Sequence, residues 1–293
     1  MEKILIDLHL QKKMHTNEGP EMLDIELQIP EKGFVTIFGK SGAGKTTLLR
    51  MIAGLTMPDD GFIKACNQNW FDKKQKINLP TQKRNIGYVF QDYALFPNMN
   101  VLEHLLFAQP KQDKEYIKKL LEIFNLYGFC KCKPHQLSGG QKQRLGLARA
   151  LAHKPDILLL DEPLSAMDYK TRAILQNELK EAHTNFNFTT LLVSHDLNEV
   201  CKLSEVVYEI DKGKIINSGL PMEIFSTEKT NSEIQLIAEI LNIETNQNYY
   251  ILTVLINTSV TKITASKDEV NSLKIGDRIL LTTKTFHPVI KKL

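Results

Sequence analysis

The chain opens on two stretches in which apolar and polar positions alternate, at Ile4, Ile6, Leu8 and Leu10 and then at Leu23, Ile25, Leu27 and Ile29. Successive strand side chains point to opposite faces, so this period predicts two half-buried antiparallel strands. Residues 34–38, 86–90, 157–160 and 189–193 are short apolar runs instead, as expected of strands covered on both faces. Strands of that kind belong to a parallel sheet with helices on each side. Between them lie helical stretches: over residues 114–127, Ile117, Leu120, Leu121 and Phe124 fall on one face, and Gly128 is the expected terminator. After Gly219 and Pro221 the pattern turns to short segments rich in Ile, Thr and Val, at 249–256, 260–265 and 278–283, with a Gly276-Asp277 turn and no long helix between 243 and 293. The pattern predicts a large α/β domain over residues 1–232 and a small β domain over residues 233–293.

Composition narrows the class without deciding it. With 293 residues and 42% hydrophobic content, the chain can bury the cores of one large and one small domain. Lysine and arginine total 37 against 34 acidic residues, and a formal charge of +3 gives no reason to expect a nucleic-acid partner. No apolar run approaches the roughly 18 residues of a membrane helix. Asp7 and His9 interrupt the N-terminal segment where a secretory signal needs an unbroken apolar stretch, so a cytoplasmic location is expected. Cys66, Cys130, Cys132 and Cys201 form no Cys-x-x-Cys pair and are expected to be free thiols.

Candidate chemistry begins directly after the run ending at Phe38. Gly39-Lys40-Ser41-Gly42-Ala43-Gly44-Lys45-Thr46-Thr47 satisfies G-x-x-x-x-G-K-[ST] between a predicted strand and a predicted helix. Glycines let backbone N–H groups turn inward around phosphates, and the helix start adds unsatisfied donors and the positive end of its dipole. Lys45 adds a full positive charge, and the Thr46 hydroxyl is suited to ligating the magnesium that accompanies a nucleotide. A second element, residues 157–163, places Asp161 and Glu162 after four aliphatic residues, at the strand end where parallel sheets bind ligands. Asp161 is suited to holding magnesium through a water. Glu162 is suited to polarising the water that attacks a γ-phosphate, in preference to a helix-capping role.

Leu137-Ser138-Gly139-Gly140-Gln141, followed by a helix carrying Gln143, Arg144, Ala148, Arg149 and Ala150, resembles the signature of the ATP-binding cassette (ABC) family. Physically it is a second anion-ready helix start in a chain that already has a phosphate loop. The resemblance implies that Ser138, Gly139, Gly140 and Gln141 complete the ATP site of a second copy, two nucleotides being clamped between head-to-tail protomers. Gln91 is similar to the family's Q-loop glutamine, which touches magnesium and the attacking water. Ser165-Ala166-Met167-Asp168 is similar to the D-loop, with methionine where leucine is commoner, and His195 resembles the switch histidine facing the γ-phosphate. The resemblance spans roughly residues 1–220 and implies a P-loop NTPase fold with an antiparallel β subdomain, a helical subdomain at about 92–135, and ATP and Mg2+ as cofactors. One departure concerns adenine: the family usually stacks the base on an aromatic residue near the end of the first strand, whereas residues 11–20 offer only His15 as a flat ring.

Residues 79–92 and Leu95-Phe96-Pro97 look most like bacterial importer ATPases, particularly those for molybdate, and the segment around Lys274–Arg278 resembles the small oligobinding modules behind them. That likeness implies a membrane permease subunit as partner, an external solute-binding protein acting indirectly, and a place at the cytoplasmic face of the inner membrane. ATPases for another solute, such as a metal ion, sulfate, a sugar or a polyamine, are the alternative. Tyr93, Leu95, Phe96, Met99 and Leu102 either pack inward or line a groove for a permease helix. A non-transport ABC ATPase is the rival from another class, but it usually needs two cassettes or a coiled-coil insertion. An oxyanion sensor is a third reading, in which Lys262, Lys267, Lys274 and Arg278 meet the anion.

Overall fold

The computed structural model describes residues 3–16, 19–165, 167–225, 234–246, 249–256, 259–270 and 273–283. The chain divides into two compact units, Met1–Ser226 and Thr227–Leu293.

In the first unit, β1 (Ile4–Thr16) and β2 (Gly19–Pro30) form the antiparallel ribbon expected from their alternation, with Leu8 opposite Leu27 and Leu10 opposite Ile25. Ile6, Leu8, Leu10, Leu23, Ile25, Leu27 and Ile29 are buried on one face, whereas Ile4, at the start of β1, is exposed. β4 (Asp60–Ala65), β5 (Gln68–Asp72) and β6 (Ile77–Asn78) extend this sheet in the order β2-β1-β4-β5-β6.

The second sheet runs β11-β10-β3-β9-β8-β7. Its parallel strands are β3 (Phe34–Phe38), β7 (Ile86–Val89), β8 (Ile157–Asp161), β9 (Thr189–Ser194) and β10 (Val206–Asp211), and β11 (Lys214–Gly219) closes one edge antiparallel. Every residue of β8 and β9 is buried, which is why they read as unbroken runs. The helix after β3 is α1 (Lys45–Ala53). Its C-terminal carbonyls at Met51 and Ile52 accept from the guanidinium of Arg84, a buried cation that also donates to Leu79 O and Trp70 O. Burial pushes the Arg84 pKa down to about 10. Cationic capping of the negative end of α1 anchors the helix whose other end is the phosphate loop.

A helical layer is built by α2 (Val101–Ala108), α3 (Lys114–Ile123) and α4 (Gly139–Ala152), which pack through Val101, Leu105, Ile117, Leu120, Leu121 and Leu145. The stretch predicted as one helix over 114–127 stops at Ile123, not at Gly128. Asn125 takes the left-handed conformation (φ 51°) and donates from Nδ2 to Glu178 Oε1 at 2.8 Å. That tertiary bond, with asparagine's tolerance of left-handed backbone, ends the helix before the glycine. α5 (Tyr169–Phe186), α6 (Leu197–Leu203) and α7 (Pro221–Phe225) complete the unit.

Among the described residues, the second unit is a four-stranded antiparallel sheet in the order β14-β13-β12-β15, from β12 (Ile234–Asn246), β13 (Tyr249–Ile256), β14 (Ser259–Ala265) and β15 (Arg278–Thr283), with one short helix, α8 (Lys267–Val270). Ala238, Ile240, Leu252, Val254 and Val270 form its core.

Candidate nucleotide site

The turn from β3 into α1 is shaped by its glycines. A Cβ on Gly39 would lie 2.2 Å from Ile210 O, so only glycine fits against β10, and Gly42 and Gly44 have φ of 87° and 97°. No side chain caps α1 at Gly44, so its first-turn N–H groups face the loop. Inside the loop the Lys45 ammonium donates to Gly39 O at 2.7 Å and Lys40 O at 2.8 Å. Lys45 is 4% exposed, and burial lowers its pKa, while the charges of Glu162 and Asp161 act in the opposite sense.

The carboxylates arrive from β8. Asp161, buried, accepts from Thr46 Oγ1 at 2.7 Å and from the Tyr88 hydroxyl at 3.1 Å. Burial together with the charge of Asp161 pushes the Tyr88 pKa up, so this phenol stays a donor. Glu162 has a left-handed backbone (φ 46°) and donates its N–H to Val193 O at 3.2 Å. This turns the carboxylate back toward the loop, with Oε1 3.9 Å from Lys45 Nζ and 3.3 Å from His195 Nδ1. A non-glycine residue held at such a φ costs about 1–3 kcal/mol, a strain that clusters where geometry serves a ligand. Thr46 and Asp161 supply hard oxygen donors, and no cluster of three or more His, Cys, Asp or Glu suited to a metal exists among the described residues. That donor set fits a magnesium ion that takes most of its ligands from phosphate and water.

A cavity of about 690 Å³ lies over the loop, and Ser41, Gly42, Gly44, Lys45, Thr46, Thr47, Gln91 and Glu162 line it. Gln91 therefore shares one space with Ser41, Gly42, Gly44, Lys45, Thr46, Thr47 and Glu162, whereas Gly39, Lys40, Ala43, Asp161 and His195 do not line it. Ser138, Gly139, Gly140, Gln141 and Asp168 do not line that cavity. Ser138 N-caps α4 in a reciprocal capping box with Gln141, at 3.3 Å and 2.8 Å. Asp168 N-caps α5 by accepting from Thr171 N at 3.0 Å, and the Thr171 hydroxyl first, with this backbone N–H, holds its carboxyl below the usual range. A Cβ on Gly140 would meet Thr171 Cγ2 at 2.8 Å, so the signature and the start of α5 are in close approach.

Two arginines, Arg172 and the signature-helix residue Arg149, make positioning contacts that the sequence does not signal. Arg172 donates to Asp196, beside His195, and to Met167 O at 3.1 Å, tying the segment before α5 to the turn that carries the histidine. Arg149, near the end of α4, donates to the carbonyls of Tyr93 and Ala94, two left-handed residues just after Gln91. Phe96 and Phe107 are exposed, at 43% and 64%, whereas Leu95 and Leu102 pack against the helical core. His15 lies in β1, but its side chain falls outside the described residues, as does Ala166. In the small unit, Lys262 Nζ is 3.4 Å from Glu244 Oε1, so a carboxylate already neighbours one of the cations considered for an oxyanion, and Arg278 stands across from Glu239 in the β12–β15 register.

Comparison with known proteins bears on this geometry. The ABC transporter family model matches residues 22–165. The spermidine/putrescine import ATP-binding protein PotA of Bacillus thuringiensis (strain Al Hakam) is 41% identical over 232 residues, 77% of this chain and 69% of that protein. The chain belongs to the ABC transporter ATP-binding family. Among other relatives of this family, the molybdenum import ATP-binding protein ModC of Vibrio parahaemolyticus is 40% identical over 209 residues, and the match spans 71% of this chain and 57% of ModC. An ABC cassette solved as a dimer in a post-hydrolysis state with ADP and Pi superposes with a TM-score of 0.62 at 30% identity, covering 74% of this chain and 99% of that one. The ABC fold, with its two sheets and helical layer, is therefore shared, and a small β unit follows it here. Among the described residues no helix is long and apolar enough to cross a membrane.

Proposed function

We propose that the chain is the ATP-hydrolysing subunit of a membrane ABC importer, working as a head-to-tail homodimer at the cytoplasmic face of the inner membrane to drive uptake of molybdate or a similar oxyanion. The observation that carries this reading is the convergence on the α1 N-terminus of Lys45, the Thr46–Asp161 pair and the Glu162–His195 pair. Lys45 and the loop N–H groups bind the phosphates, Glu162 takes the proton of the attacking water, and His195 holds Glu162 and faces the γ-phosphate. Thr46, Asp161 and Gln91 would hold a magnesium ion, which supplies charge neutralisation to the phosphates when bound. The similarity to ModC favours the oxyanion; the similarity to PotA keeps a polyamine or another solute as the alternative. The exposed Phe96 and Phe107 suit a surface that receives a permease helix.

The test is recovery of the tagged chain from its host. It is expected to bring down a polytopic membrane protein, and vesicles holding the pair to accumulate molybdate when supplied with ATP. Recovery with nucleic acid or ribosomes instead overturns the transport reading, and uptake of a polyamine without oxyanion moves the solute to the alternative.

The head-to-tail arrangement has its own test. Ser138 caps α4 away from the cavity over the chain's own loop, which supports its serving a second copy. Ser138→Arg fills that anion site with a bulky cation, so hydrolysis is expected to fall to background while ATP affinity stays within about twofold. Mixing it with Lys45→Ala leaves one composite site intact, and turnover partly returns. Parent-like turnover of Ser138→Arg refutes the arrangement.

A further inference from the structure

Gln91, which lines the cavity over the phosphate loop, is followed by backbone in an unfavourable shape. Tyr93 and Ala94 are consecutive non-glycine residues in the left-handed region, at φ of 62° and 45°. Such backbone persists only where its surroundings over-determine it. Arg149 supplies one constraint by donating to both of their carbonyls. A second acts two residues later, at Phe96, and it depends on a histidine.

His104 lies in α2, four residues after the helix cap Asn100, and is fully buried. Its Nε2 accepts from the backbone N–H of Phe96 at 3.0 Å, and its Nδ1 is 2.7 Å from Asn100 O. A backbone N–H can only donate and a carbonyl can only accept, so these two bonds admit one form of the ring, neutral with its proton on Nδ1. The imidazole also stacks on the Phe96 ring, with centroids 5.8 Å apart and planes at 28°. Phe107 meets Phe96 edge-on at 5.5 Å, and the Arg149 guanidinium lies 5.8 Å from the same ring. His104 therefore fixes both the backbone and the ring of an exposed aromatic residue.

A proton on Nε2 removes this arrangement, because it sets a second donor against the Phe96 N–H. Burial holds the imidazole below its ordinary pKa; the bond to Asn100 O opposes that, the Arg149 charge reinforces it and the Glu103 charge opposes it. Glu103 is itself engaged in the helix cap, accepting from Asn100 N at 2.7 Å. The segment that bonds to the start of α2 through the carbonyls of Cys130 and Cys132 brings thiols, and burial pushes the Cys130 pKa up, so this thiol stays neutral. The pinned ring thus binds a proton less tightly than a released one. The pin is at full strength above the ordinary imidazole range and weakens as pH falls below it.

We propose that His104 is a positioning residue: as a neutral imidazole it pins Phe96 and the backbone running back to Gln91, and protonation releases them. The inference rests on the reading of Phe96 as a permease-facing residue only for its use, and the experiment reads the pin in the chain alone, so the two fail separately. Hydrogen exchange of the Phe96 amide is followed in the full chain at about pH 7.5 and about pH 5, on either side of the ordinary imidazole range, and corrected for the intrinsic pH dependence of exchange. Amides of α3 serve as the internal reference. Protection of Phe96 in the parent is expected to fall by about tenfold or more in acid, since each unit below the released ring's pKa weakens the pin about tenfold. His104→Gln keeps an acceptor for the Phe96 N–H and takes up no proton in this range, so its protection is expected to hold at both values. His104→Leu is expected to leave the amide unprotected at both. Protection in the parent that ignores pH overturns the proposal, as does a His104→Gln chain that loses protection in acid as the parent does. Parent-like protection in His104→Leu overturns it too, and should that variant not fold, the parent and His104→Gln decide the matter between them.

Discussion

Glu162→Gln is expected to keep ATP bound and to slow its hydrolysis by about 10²- to 10⁴-fold, the usual effect of removing a general base. Glutamine has the size and planarity of glutamate, so the turn set by the left-handed backbone and the N–H bond to Val193 O survives the substitution. What disappears is the capacity to take a proton from water. The carboxylate is 3.3 Å from His195 Nδ1 and 3.9 Å from Lys45 Nζ, so an amide also removes a negative charge that would repel the γ-phosphate. Binding is therefore expected to hold or tighten while turnover falls. With ATP trapped, two chains stay together, and gel filtration with ATP should report a dimer that the parent shows only transiently. Phosphate release measured in a single turnover decides the matter, and an undiminished rate removes Glu162 from the role of base.

The parts of this site that are local in the chain are legible in its sequence. The loop from Gly39 to Thr47 lies within one turn of chain, and its glycines announce a backbone that must bend and expose N–H groups. The run ending in Asp161 and Glu162 is legible because a strand buried on both faces leaves no other reason for four aliphatic residues in a row. Interactions between distant segments are not legible. Arg172 reaches Asp196, Arg149 reaches the carbonyls after Gln91, and Tyr88 reaches Asp161 only because the fold brings separate segments together. The same is true of Gly39, which is glycine partly because β10 passes 2.2 Å from where its Cβ would sit. Asn125 shows the limit in a helix: periodicity runs on to Tyr127, yet a bond to Glu178 on α5 ends α3 at Ile123. The chain divides into its two units between Ser226 and Thr227, a few residues after Gly219 and Pro221, where the hydrophobic pattern changes.

Lys45→Ala is expected to weaken ATP by about 10²- to 10³-fold with little change in melting temperature. At ~4 Å and an effective dielectric near 20, one lysine charge contributes about 4 kcal/mol against a phosphate, and solvent exchange reduces that figure. The ammonium is already in place before the ligand arrives, held between Gly39 O and Lys40 O, so little ordering opposes its use. Stability should respond differently from binding. Burial holds the Lys45 pKa below its ordinary value, which means that the folded chain binds this proton less tightly than the unfolded chain does. The charge is kept for the ligand and not for the fold, so removing it need not unfold the protein. Alanine also leaves Asp161 and Glu162 facing the triphosphate without the cation between them, which adds to the loss of affinity. Calorimetry with ATP alongside thermal unfolding separates the two effects. Affinity equal to the parent's would place the phosphates elsewhere, and a large fall in melting temperature would make Lys45 a structural residue first.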